Sequence, residues 1–394
     1  MPAAPAKTRS PKRSTRSARS SQSTPAKKAV APEVARQTKL RAAARDAEAD
    51  WFLVTDPNDV AYLTGFLGGD SYLLIPAKGT RGKGVVISDF RYWEELEPLK
   101  PRLKVHIRTG SFAAALRELF GDLDVRRCAV QAEHLTVAER RVLAKAVGSK
   151  KLADTIGVVK RLRERKDSAE VAMIRKAIRV QEAALEALLP TIKPGQTELE
   201  VCARLEHEMK ARGSSEPGFT TIVAARANGS FPHYRPAKVK LAKNQPLLID
   251  WGAKVNGYHG DMTRTFSLGK WPAKVREIYG IVLESHLAAV AALRPGVTTR
   301  EVDAASRDVI TKAGYGDMYG HGLGHGLGLE IHEDPRMNPL YEPTPIEEGM
   351  VVTIEPGIYL PGIGGVRIED DFVVTATGSK NLCTLPKTIE WSTL

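Results

Sequence analysis

Between Ala49 and Ile87 short apolar runs alternate with turn residues: Trp51–Val54, then Asp56-Pro57-Asn58, then Tyr72–Ile75 and Gly84–Ile87. Apolar runs of this length bounded by turn signals read as strands. Helical periodicity follows over Tyr92–Leu99 and Phe112–Leu119, with a further strand over Leu103–Ile107. Strands alternating with helices predict an α/β domain, assigned to residues 36–157. From Val158 an amphipathic pattern predicts one long helix reaching Leu189, ended by Pro190 and Pro194. A second domain then covers residues 158–394, so the expected class is mixed α/β (α+β).

Two stretches of that second domain match at an offset of 101 positions. Lys193-Pro194-Gly195-Gln196-Thr197-Glu198-Leu199-Glu200-Val201 corresponds to Arg294-Pro295-Gly296-Val297-Thr298-Thr299-Arg300-Glu301-Val302. Each holds a Thr followed three residues later by Glu, in which each side chain satisfies a free backbone N–H at a helix start. Ala203/Ala304 and Gly213/Gly314 extend the match, which predicts two related halves.

Composition adds little until the charge is located. The chain has 394 residues and a formal charge of +12, but residues 1–30 hold eight Lys or Arg and no acid, leaving +4 for the other 364. Basicity therefore belongs to a tail, assigned to residues 1–35. Rich in Ser, Pro and Ala and lacking Leu, Ile and aromatic residues, its first 30 residues cannot bury enough apolar surface to offset ordering entropy, so disorder is expected there. A solubilising extension fits better than a nucleic-acid contact or a transit peptide, since no aromatic or amphipathic pattern accompanies the charge. No apolar run approaches the ~18 residues of a membrane span, and the N-terminus has no apolar signal block, which makes a cytoplasmic location the expectation. Cys128, Cys202 and Cys383 are odd in number and far apart, arguing for reduced packing residues rather than disulfides or a CxxC metal site.

Chemistry concentrates in three places. In Pro246-Leu247-Leu248-Ile249-Asp250-Trp251-Gly252, continuing to Tyr258-His259-Gly260-Asp261-Met262-Thr263-Arg264, the intervening Asn256-Gly257 predicts a tight hairpin. Counting outward from that turn places Asp261 opposite Gly252 and diagonal to Asp250 on the same face, roughly 7–8 Å apart between Cα atoms. An acid following Leu-Leu-Ile in a buried strand needs a partner. A second hairpin, Met350–Tyr359 and Gly364–Val374 around Pro361-Gly362-Ile363, sets Glu355 opposite Glu369, with Arg367 on the latter's face. Pro356 marks an edge or bulge there, at which the register is open to a one-residue slip. The third place is His321-Gly322-Leu323-Gly324-His325-Gly326-Leu327-Gly328-Leu329-Glu330-Ile331-His332. Alternate glycines disfavour a helix by about 1 kcal/mol each, so an extended segment with His321 and His325 on one face is predicted. It is neither an HExxH zinc motif nor a GxGxxG loop.

Four carboxylates gathered without cations repel by roughly 4 kcal/mol per pair at 4 Å even at an effective dielectric of 20. Two divalent ions cancel that charge. Carboxylates with one imidazole favour manganese, with cobalt or zinc also accommodated, and two such ions activate water for hydrolysis of an amide or ester.

The ordered set Asp250-x-Gly252, Asp261-x-Thr263-Arg264, His321-Gly322-x-Gly324-His325, Glu355-Pro356-Gly357 and Arg367-x-Glu369 resembles the pita-bread metallopeptidases, in the proline-directed branch containing aminopeptidase P and prolidase. Asn58–Phe66 and Asp89-Phe90-Arg91-Tyr92 likewise resemble the amino-terminal domain of that branch, so the likeness covers residues 36–394. The resemblance implies a creatinase/prolidase-like α/β domain followed by a pita-bread domain with pseudo-twofold halves. It implies a metal set of Asp250, Asp261, His325, Glu355 and Glu369, with Asp261 and Glu369 bridging both ions. Glu355 is then the proton acceptor, His332 assists the scissile amide, His233 lines the substrate pocket, and His321 and Arg367 support substrate binding. The implied activity is hydrolysis of an N-terminal Xaa-Pro bond, as an Xaa-Pro aminopeptidase or alternatively an Xaa-Pro dipeptidase, by a homodimer acting on peptides with proline second. Methionine aminopeptidases usually lack the amino-terminal domain. A metal-free creatine-hydrolysing relative, or a non-catalytic binding protein of this fold with a nucleic-acid-contacting tail, is expected to have lost ligands that are all present here.

Overall fold

Strand Trp51–Val54 alternates its side chains between two apolar layers. Phe52 and Val54 join Leu40, Val60 and Leu63 on one side, while Trp51 and Leu53 pack with Leu116, Phe120 and Leu143 on the other. Burial on both faces explains why the run is continuously apolar. It lies centrally in a six-stranded mixed sheet, in the order Lys104–Ile107, Val85–Ser88, Tyr72–Pro76, Trp51–Val54, Cys128–Gln131, Leu152–Thr155. The computed structural model describes residues 1–4 and 31–394. The basic stretch therefore lies, over residues 5–30, outside the described residues.

Four local expectations change. Residues 32–35, assigned to the tail, form the first turn of helix Pro32–Asp46, where Glu33 accepts a bond from Arg102 Nη1 at 3.0 Å. Asp56-Pro57-Asn58 starts a helix, Pro57–Thr64, rather than making a turn; Asp56 caps it through the N–H groups of Asn58 and Asp59, and proline is pre-set for the first helical position. Tyr92–Leu99 holds only 3₁₀ turns, Phe90–Tyr92 and Glu97–Leu99, since Pro98 cannot donate within a helix. The long helix from Val158 is two helices, Val158–Glu164 and Ser168–Leu188. Arg165 is extended between them and bridges to Met350, and Asp167 with Glu170 forms a capping box that restarts the helix.

The remainder is the pita-bread half. Helices Glu198–Ala211 and Thr299–Lys312 begin 101 residues apart, each with the predicted Thr–Glu capping box formed. Helix Ser168–Leu188 packs on the first of these and Ala273–Ala292 on the second. Against these helices pack a sheet of Met262–Ser267, Pro246–Trp251 and Ile222–Ala225 and a five-stranded sheet built around Val351–Ile354 and Asp370–Val374. The largest core runs from Leu40 and Phe52 through Ile174 and Ile178 to Leu247 and Trp251, so the amino-terminal and pita-bread parts share one apolar interior. Among the described residues no helix is long and apolar enough to cross a membrane. All three cysteines are free, with Cys128 and Cys383 buried.

Candidate metal centre

The Asn256-Gly257 turn sets its register without slip: Val255 pairs Tyr258, Lys254 pairs His259, and Trp251 and Asp250 pair Met262 and Thr263. Asp261 thus falls opposite Gly252, and a Cβ at Gly252 would lie 2.2 Å from the Gly260 carbonyl oxygen, so only glycine lets the two strands close there. The second hairpin keeps one register on both sides of Pro356. Ile354 pairs Asp370 and Gly357 pairs Arg367, which leaves Glu355 facing Glu369 across the break proline creates. Gly324–Gly326 is extended, as its glycines predict, and a Cβ at Gly324 would lie 2.2 Å from Thr353 O. That close approach brings His325 to the two hairpins.

All five acid and histidine residues of the expected ligand set line one cavity of about 450 Å³, together with His233, His321, His332 and Arg367. Asp261, His325 and Glu369 each present a ligand atom within 4.8 Å of the others. Burial, and then repulsion from Asp250 and Asp371, holds Asp261 well above the carboxylate range; burial, then Asp261, Glu355 and Asp250, does the same for Glu369. Burial pushes Glu355 up to about 7, against the opposing pull of Arg367, and raises Asp250 as well. Asp250 Oδ2 accepts from Arg367 Nη2 at 2.5 Å, whereas its buried Oδ1 has no partner among the described residues.

The histidine is set the same way. His325 Nδ1 lies 3.0 Å from the Gly326 carbonyl, so it carries the proton, and Nε2 faces Glu355 Oε1 at 3.4 Å and Asp261 Oδ2 at 3.6 Å. Burial and the neighbouring His332 push its pKa down to about 3, which keeps the ring neutral. Acceptor atoms then converge on acceptor atoms. An orphaned buried oxygen, four mutually repelling carboxylates and a neutral imidazole nitrogen fit divalent cations.

Surrounding groups brace these five. Thr263 Oγ1 donates to Glu369 Oε2 at 2.6 Å and accepts from Arg367 Nε at 2.9 Å, while Thr353 Oγ1 donates to Glu355 Oε1 at 3.2 Å. Arg367 Nη1 donates to Tyr359 Oη at 2.9 Å, and that hydroxyl lies 2.8 Å from His321 Nε2. His321 Nδ1 sits 2.7 Å from Gly322 O and so donates, which leaves Nε2 to accept from Tyr359. His321 and Arg367 therefore meet the pocket as braces, with their polar groups already bonded to the protein. His233 and His332 are exposed to the cavity, and the His332 ring stands edge-on to His325 with centroids 4.4 Å apart. Sequence reasoning quoted Thr263 only as a motif position with no role, and missed Thr353, Tyr359 and the pocket arginines Arg235 and Arg336. Thr263 alone carried a signal, since the Asn-Gly register already set it opposite Asp250.

Residues 172–376 match Metallopeptidase family M24, and residues 36–165 match the Creatinase/Prolidase N-terminal domain. Among curated proteins, the chain is 33% identical over 338 residues to an uncharacterized peptidase, YqhT, of Bacillus subtilis, covering 86% of this chain and 94% of that one. A solved Xaa-Pro dipeptidase from Bacillus anthracis superposes with a TM-score of 0.87 at 34% identity, over 92% of this chain and all of that one. An X-Pro aminopeptidase from Thermotoga maritima superposes with a TM-score of 0.81 at 33% identity, over 89% and 99% of the two chains.

Proposed function

Because the chain belongs to Metallopeptidase family M24 and carries that family's creatinase/prolidase domain, we propose that it is a two-metal peptidase cleaving the bond between an N-terminal residue and a following proline. The convergence of Asp250, Asp261, His325, Glu355 and Glu369 on one cavity carries this reading. Asp250, Asp261, His325, Glu355 and Glu369 would hold the two ions, with Asp261 and Glu369 as the ligands the ions would share, Asp250 serving one and His325 with Glu355 the other. Manganese is the proposed metal, from the preponderance of carboxylate donors. When bound, the ions supply an acidified water and polarise the scissile carbonyl.

The chain's own groups do the rest. Glu355, whose Oε1 lies 3.4 Å from His325 Nε2 and accepts from Thr353 Oγ1, is placed to take the proton of the attacking water. His332 hydrogen-bonds the scissile peptide, and His233 lines the same substrate cavity. Arg367 and Thr263 hold Asp250 and Glu369 in place, so the site is rigid before substrate arrives.

Of the two proline-directed modes, dipeptide hydrolysis fits the cavity better than the aminopeptidase activity first expected. Among the described residues no acid besides the four carboxylates of the metal centre lines it, while Arg235 and Arg336 do. Arg336 Nη2 donates to His332 O at 3.1 Å, which keeps its guanidinium beside the residue that touches the scissile peptide. A dipeptide presents its carboxylate one residue beyond that bond, within the same chamber. Losing a charge-assisted hydrogen bond costs about 2 kcal/mol, so Arg336→Ala is expected to raise KM for Ala-Pro ~30-fold, with kcat changed less than ~3-fold and KM for Ala-Pro-Ala much less affected. Steady-state kinetics on both peptides checks this. Equal effects on the two would sink the dipeptide assignment.

A further inference from the structure

A buried ionic cluster joins helix Val158–Glu164 to helix Pro57–Thr64 and to the start of strand Glu333–Met337. Arg163, 2% exposed, projects from helix Val158–Glu164. Its Nη1 donates to Asp59 Oδ1 at 2.7 Å, and its Nη2 donates to Glu333 Oε1 at 2.5 Å and to Glu330 Oε2 at 3.2 Å. Lys166 Nζ donates to Glu333 Oε2 at 3.0 Å. Asp59, Arg163, Lys166 and Glu333 are all buried, two charges of each sign, and Glu330 sits at the margin.

The two ends of the cluster belong to different parts of the molecule. Asp59 lies in helix Pro57–Thr64 of the amino-terminal part, and its other oxygen accepts from Gln131 Nε2 at 2.5 Å. Gln131 Oε1 in turn accepts from the backbone N–H groups of Thr55 and Asp56, so Asp59 is tied to the central strands of the six-stranded sheet. Glu333 follows His332 directly. Its Oε1 also accepts from the Glu330 N–H at 3.1 Å, closing the turn that carries Ile331 and His332 into the cavity. A Cβ on Gly328 would stand 2.8 Å from that carboxylate, so the turn is packed flush on it.

Burying four charges is a poor route to stability, because apolar residues of similar volume serve as well or better. What a guanidinium adds is a planar fork with fixed bond directions. We infer that Arg163 is a positioning residue, clamping Glu333 to Asp59 so that the amino-terminal part sets where His332 stands over the metal centre. The inference rests on the reading of His332 as the group that touches the scissile peptide. It makes the amino-terminal domain a contributor to turnover through residues that touch no substrate.

The test uses the full-length, manganese-loaded enzyme with Ala-Pro, and the variants Arg163→Gln, Arg163→Lys, Asp59→Asn, His332→Ala and the Arg163→Gln/His332→Ala double. At equal metal content Arg163→Gln is expected to lower kcat by ~10-fold or more, the usual range for a group that orients an active-site residue, with KM changed less than ~3-fold. In the His332→Ala background the same substitution lowers kcat less than ~2-fold, because there is no imidazole left to misplace. Arg163→Lys keeps a charge but cannot reach both carboxylates, so it recovers Tm more than kcat. Wild-type kcat in Arg163→Gln, or an equal loss in both backgrounds, overturns the inference. A His332→Ala variant with unchanged kcat removes the reading of His332 and the inference with it. Should Arg163→Gln not fold, the nearly isosteric Asp59→Asn makes the same comparison. Amide exchange over residues 328–334 gives a readout that needs no substrate: it is expected to rise in Asp59→Asn and in Arg163→Gln, and unchanged protection there counts against the clamp even if the peptidase assignment fails.

Discussion

Replacing Asp261 by asparagine is expected to lower kcat/KM on a proline dipeptide by at least ~10³-fold while leaving the chain folded. Asp261 presents a ligand atom to the same small volume as His325 and Glu369, so the variant loses one of the anions of the proposed two-ion site. Asparagine keeps the volume and the backbone N–H that bonds Asp371 at 3.0 Å, and the flanking Trp251–Met262 pairing does not involve the side chain. Burial and neighbouring carboxylates already favour the neutral acid in metal-free protein. A neutral amide therefore relieves repulsion, and the metal-free variant should melt at the same temperature as metal-free wild type or above it. Metal content by mass spectrometry and Tm with and without manganese check both halves. Full activity in the variant would remove the two-metal assignment.

Stripping metal should destabilise the protein more at pH 8 than at pH 5. Asp250, Asp261, Glu355 and Glu369 all have folded-state pKa values above their unfolded ones. An acid raised in this way binds more protons folded than unfolded, so its share of stability is present at low pH and is lost as pH rises between the two values. For Glu355 the window runs from about 4.5 to about 7, on the order of 3 kcal/mol for that group alone. Divalent ions reverse the dependence, because ligands must be deprotonated to bind them. The gap in Tm between metal-loaded and chelated protein is thus expected to widen from pH 5 to pH 8, as calorimetry across that range would record. A gap that narrowed with rising pH would contradict a carboxylate-built site.

The parts of this centre legible in the sequence were those governed by local chemistry. Asn256-Gly257 admits one tight turn, and from it the pairing of Asp250, Gly252, Asp261 and Met262 follows by counting. Pro361-Gly362-Ile363 set Glu355 opposite Glu369 with a slip at Pro356 left open, which the pairing on either side shows is not taken, and the paired Thr–Glu boxes announced the two halves. The break at Arg165–Asp167 was legible but passed over: Arg163–Ser168 holds no apolar residue, and Asp167 with Glu170 is a capping-box pair that marks a new helix start. Tyr359 and Arg163 escaped for a different reason. Each acts through a partner brought close by the sheets rather than by spacing: His321 is 38 residues from Tyr359, and Glu333 is 170 from Arg163. Hydrogen bonds across such separations leave no local pattern to read.

Release of free alanine from Ala-Pro, Ala-Pro-Ala and Ala-Ala-Ala, assayed separately on manganese-reconstituted protein, tests the central assignment most directly. Cleavage of both proline peptides is expected, with Ala-Pro preferred, and none of Ala-Ala-Ala. Protein shown to carry two ions that released no alanine from either proline peptide, or released it equally from Ala-Ala-Ala, would contradict it.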